Sequence, residues 1–135
     1  MTRAALVAAL VGLVVLVVPA ESAVAGHPSA PPLLTIDAES LQQLQAAGRP
    51  VLAVDLRPAE AFQSGRLPGA RSIPLPTLAA RRSEVPADTL IVLYADGVED
   101  ATVAYRYLRR AGHANVFVLE GGLAGWRAHG YGVER

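Results

Sequence analysis

Residues 90–112 read LIVLYADGVEDATVAYRYLRRAG, and this stretch decides the fold. Leu90-Ile91-Val92-Leu93-Tyr94 is a short, unbroken apolar run, the pattern of a strand covered on both faces. The chain then becomes polar from Ala95 to Asp100. Beyond it Val103, Ala104, Tyr107, Leu108 and Ala111 share one helical face, with Arg106, Arg109 and Arg110 opposite, and Gly112 stops the helix. A buried strand feeding a helix through a short loop is a building block of a parallel sheet.

The flanking sequence repeats the theme. Val116-Phe117-Val118-Leu119 predicts the next strand, Gly121-Gly122 a turn, and Leu123 to His129 a last short helix. Upstream, Asp37 is placed to cap a helix carrying Leu41 and Leu44 that ends at Gly48. Val51-Leu52-Ala53-Val54 predicts a buried strand ending in Asp55-Leu56-Arg57, and Pro58 suits the first position of a short helix through Phe62. Leu67-Pro68-Gly69-Ala70 is a turn, Ser72-Ile73 a brief strand, and Pro76 to Arg82 a helical turn or two. The expected fold is α/β, a small parallel sheet flanked by helices on both faces. Ligands of such sheets sit beyond the carboxyl ends of the strands, which makes the loop Ala95 to Asp100 the prime candidate site. There is no internal repeat and no sign of a second domain.

The first 25 residues read as a cleavable secretory signal. Arg3 precedes an apolar run from Ala4 to Val18, Pro19 ends it, and Ala23-Val24-Ala25 offers small residues at a cleavage site before Gly26. The run is shorter than a bilayer span, so the expected location is exported, periplasmic or extracellular. An uncleaved anchor would give membrane contact through this segment alone. Residues 26–34 read as a leader, and residues 35–135 as the domain. The 12 basic residues, all arginine, balance 12 acidic ones and form no cluster, which excludes a nucleic-acid face. With no cysteine there is no disulfide, no thiolate nucleophile and no cysteine metal site. No cofactor is expected, and a copper-chelating Gly26-His27 terminus would be incidental.

Two segments carry a family resemblance. Asp55-Leu56-Arg57-Pro58-Ala59-Glu60-Ala61-Phe62 with Gly65-Arg66-Leu67-Pro68-Gly69-Ala70 resembles the D-x-R strand end and G-H-I-P-G-A turn of the rhodanese homology domain. Leu119-Glu120-Gly121-Gly122-Leu123-Ala124-Gly125-Trp126 is similar to that family's L-x-G-G-x-x-x-W segment. The resemblance covers about residues 35–131. It implies that the family's sulfur-carrying cysteine, which follows the strand-ending tyrosine, corresponds to Ala95; a shift by one residue would place Asp96 there. Persulfide chemistry needs a thiolate held by loop N–H groups and a helix N-terminus, and neither residue supplies one.

The loop also departs in charge. Asp96, Glu99 and Asp100 stand where active members carry arginine, serine and glycine, with Gly97 and Val98 between them. Each carboxylate would repel an incoming anion such as thiosulfate. The plainest role for Glu99 or Asp100 is to cap the helix, and a cation site made by Asp96, Glu99 and Asp100 is weaker because calcium needs more oxygens than these residues offer. Asp96 is predicted to fold into the vacated N–H cradle. The resemblance implies that Asp55 and Arg57 form a structural pair on the pocket rim, and that Arg66 replaces the histidine of the family's turn. Trp126 reads as packing, and neither His113 nor His129 has partners for a triad. The function expected is a catalytically inactive, exported binding or accessory module for an unknown protein or small-molecule ligand. The alternative is an enzyme: a sulfurtransferase-family protein, either thiosulfate sulfurtransferase-like or handling sulfur with a partner's thiol, or a hydrolase using Asp96.

Overall fold

The computed structural model describes residues 32–135. The signal segment, the first part of the leader and His27 lie outside them. Five parallel strands, β1 (Thr35–Ile36), β2 (Val51–Asp55), β3 (Arg71–Ser72), β4 (Leu90–Tyr94) and β5 (Val116–Leu119), form one sheet in the order β1-β5-β4-β2-β3. The helices are α1 (Ala38–Ala46), α2 (Ala59–Ser64), α3 (Val98–Arg110) and α4 (Gly122–Ala128), with single 3-10 turns at Leu75–Thr77 and Arg82–Glu84. The fold is therefore the predicted α/β architecture, with β4 and its loop at the centre.

Alternation along the strands divides the core. Val54, Ile91, Leu93, Val116 and Val118 point to one face, where α3 packs on them; Ala53, Val92, Tyr94 and Leu119 point to the other, under α1 and α4. Asp37 caps α1 as its residue type predicts, accepting a bond from the Ser40 N–H at 2.6 Å. Trp126 is buried and its indole N–H donates to the Gly132 carbonyl at 2.9 Å, so it serves packing.

Two local expectations are corrected. The buried stripe of α3 is Ala101, Ala104, Tyr105 and Leu108, whereas Val103 is 57% exposed and Ala111 is exposed. Two apolar stripes overlap on this helix, and the one with small residues at 101 and 104 lets the helix approach the sheet closely. Pro58 precedes α2 as its N-cap instead of opening it. The last leader residues are tied to the domain: the Val118 N–H donates to the Leu34 carbonyl, the Leu34 N–H to the Tyr105 hydroxyl, and that hydroxyl to the Pro32 carbonyl.

Candidate functional site

β2 and β4 are neighbours, and Asp55 lies in register with Tyr94, so the two strands deliver their ends to the same edge of the sheet. At the end of β2 the chain buries a charge. Asp55 is fully buried and Arg57 is 9% exposed. The guanidinium binds the carboxylate through two nitrogens, at 3.0 Å (Nε to Oδ1) and 2.7 Å (Nη2 to Oδ2), and Nη2 also donates to the Gly65 carbonyl at 2.6 Å. The Arg57 backbone N–H adds a bond to Asp55 Oδ1. These bonds to Asp55 hold the arginine's proton more firmly than usual despite burial. Beside the pair, the Tyr94 hydroxyl accepts the Leu67 N–H at 3.2 Å. Burial pushes this phenol up; the Leu67 bond works against that, and the Asp55 charge adds to it.

At the end of β4 the edge opens instead. Ala95 borders a cleft of about 400 Å³ whose lining comes from three places. Ala95, Asp96, Gly97, Val98 and Ala101 belong to the loop and the start of α3, Leu33 and Thr35 to the first strand and the residues before it, and Val118 to Gly122 to the end of β5 and the turn after it. Among the described residues no arginine or histidine lines this cleft. Gly122 has a left-handed backbone (φ +56°), and a Cβ there would lie 3.0 Å from the Ala95 carbonyl oxygen. That close approach lets the Gly121-Gly122 turn face the loop. Thr35 donates to Glu120 Oε1 at 2.7 Å, which orients one carboxylate of the lining.

The loop acids do not behave as their sequence position suggests. The N-cap of α3 is Gly97, which has no side chain to cap with, and Glu99 and Asp100 fall inside the first turn. There they act on the helix dipole as charges and not as hydrogen-bonding caps. Asp96 is exposed and makes no bond to the loop N–H groups, so it does not fill the cradle. The Glu99 carboxylate leans back over the loop, 3.2 Å from where a Cβ on Gly97 would stand.

Arg66 is also placed elsewhere. Its backbone pairs with Glu134 through two 2.9 Å bonds, and its guanidinium lies over the Phe62 ring at 4.5 Å. Asp55, Arg57, Arg66, Glu99 and Asp100 are thus outside the cleft lining, while Leu33, Thr35, Glu120, Gly121 and Gly122 are inside it. Glu120 and the two glycines were visible as a motif, but only the pairing of β1 with β5 brings Thr35 beside them. His113 binds the Val85 carbonyl and His129 the Gly125 carbonyl, so neither forms a triad. Among the described residues no three His, Asp or Glu side chains gather as a metal site.

The rhodanese-like domain family matches residues 37–129. The chain belongs to that family. It is 36% identical over 95 residues to a sulfurtransferase from Allochromatium vinosum, covering 70% of this chain and 89% of that one. It is 39% identical over 99 residues to an HTH-type transcriptional regulator from Mycobacterium tuberculosis, covering 72% of this chain but only 42% of the regulator. The crystal structure of the Alr3790 protein from Anabaena sp. superposes with a TM-score of 0.70 at 33% identity, covering 73% of this chain and 81% of that one. Within a family that includes proteins named sulfurtransferases, this chain has no cysteine.

Proposed function

We propose that this is a catalytically silent rhodanese-like domain acting outside the cytoplasm as a binding or accessory module. The observation that carries the reading is Ala95, which heads the loop at the end of β4 where the family resemblance expects the sulfur-carrying cysteine. A methyl group there cannot attack a sulfur donor or hold a persulfide. The carboxylates of Asp96, Glu99 and Glu120 oppose an incoming thiosulfate as well. Export rests on the sequence of residues 1–25.

The test is a thiosulfate:cyanide assay on the purified protein. No turnover is expected, and clear activity without added thiol would overturn the reading. Ala95→Cys alone should restore little, because the acids remain; full rescue by that single change would refute the electrostatic part. The relatives named sulfurtransferases favour one second reading, a sulfur-handling enzyme that works on a partner's thiol. It predicts turnover that appears only when a thiol protein is supplied.

A further inference from the structure

The cleft at the end of β4 has a chemical preference of its own. Two carboxylates, Asp96 and Glu120, belong to its lining, and a third, that of Glu99, lies over Gly97 at its edge. Among the described residues no cationic side chain lines it. The guanidinium at the neighbouring strand end, Arg57, is already bound to Asp55 and the Gly65 carbonyl. One feature opposes this charge, the N-terminus of α3, worth about half a positive charge and fading within a turn. Asp96 just before that turn, with Glu99 and Asp100 inside it, outweighs half a charge.

The rest of the lining narrows the ligand. Leu33, Val98, Ala101 and Val118 are apolar, and Val98 is 61% exposed. A space of about 400 Å³ lies in the range of small-ligand sites. The described acids are not gathered as a metal site, and an apolar wall offers a bare metal ion nothing. Thr35 holds Glu120 Oε1, which sets the direction of that carboxylate before any ligand arrives. We infer that the cleft binds a monovalent organic cation, an alkylguanidinium or alkylammonium, with its charged head between Asp96 and Glu120 and its stem on the apolar lining. This rests on the reading of the domain as a binding module. The same head group could come from a free small molecule or from an arginine side chain of a partner protein.

The test is an amide-resolved NMR titration of the full chain with three probes: agmatine, N-acetylarginine methylamide and thiosulfate. Saturable shifts at Gly97, Gly121 and Gly122 are expected for the two cations. Asp96→Asn with Glu120→Gln should weaken them at least about tenfold, as should high salt in part. Tighter binding of agmatine supports a free ligand, and tighter binding of the arginine amide supports a partner's side chain. Thiosulfate saturating the same amides as well as the cations do would overturn the cation assignment while leaving a binding module in place. Cation shifts unchanged in the double variant, or no binding by either cation, would overturn it too. Turnover of thiosulfate with cyanide would instead overturn the functional reading on which it rests.

Discussion

The ends of β2 and β4 lie side by side in the sheet, yet they treat charge in opposite ways. β2 ends in a carboxylate that is fully buried and is met by three hydrogen bonds from two guanidinium nitrogens and by a backbone N–H, with the Tyr94 ring beside the guanidinium. β4 ends in Tyr94, and Ala95 after it leads into acids that are exposed and form no ion pair among the described residues. A buried charge must have a partner, because its desolvation costs several kcal/mol. An exposed charge needs none, so it is free to face a ligand. The closed end is the structural one, and the open end is the candidate site.

The largest effect should come from breaking the closed end. Asp55→Ala leaves the Arg57 guanidinium buried without its counter-charge, and a loss of about 3–5 kcal/mol in urea unfolding is expected. Replacing both, as Asp55→Leu with Arg57→Met, should recover much of that loss; no recovery would mean that the pair does more than neutralise itself. Next is the join between the two turns at the open end. Gly122→Ala places a Cβ on a left-handed residue and against the Ala95 carbonyl, with about 1–3 kcal/mol expected.

Tyr94 links the two ends. Tyr94→Phe removes the acceptor of the buried Leu67 N–H and should cost about 1–2 kcal/mol at neutral pH. Its pH signature is distinct. The phenol's pKa is raised in the folded state, so its contribution is complete below its ordinary value of 10.0 and is lost as pH climbs above that value. Unfolding measured along an alkaline series should show a falling limb that Tyr94→Phe flattens. The smallest effect is Asp96→Asn, expected within about 0.5 kcal/mol because the side chain is exposed and unbonded. A loss of more than 1 kcal/mol would show that the loop acid is structural and erase the contrast.

Much of the scaffold could be read in advance. The apolar runs at Val51–Val54, Leu90–Tyr94 and Val116–Leu119 each became a strand because a strand covered on both faces tolerates no polar residue in its middle. The sequence does not single out the buried face of α3, because Val103 and Ala101 belong to stripes that both satisfy helical spacing, and only contact with the sheet selects between them. Arg66 sits in the family's turn motif, but the C-terminal residues pair with its backbone and Phe62 lies under its guanidinium. Those partners are far away in sequence or invisible to periodicity.

The sequence by itself determined the strand-loop-helix order, the absence of any thiol and the acidic character of the loop after Tyr94, since these follow from residue type and local period alone. Tertiary structure decided what that loop faces. Strand order places β1 beside β5 and β5 beside β4, which brings Thr35, Glu120 and the Gly121-Gly122 turn to Ala95. Packing in three dimensions joins segments that no local pattern connects, and a cleft is made of such meetings.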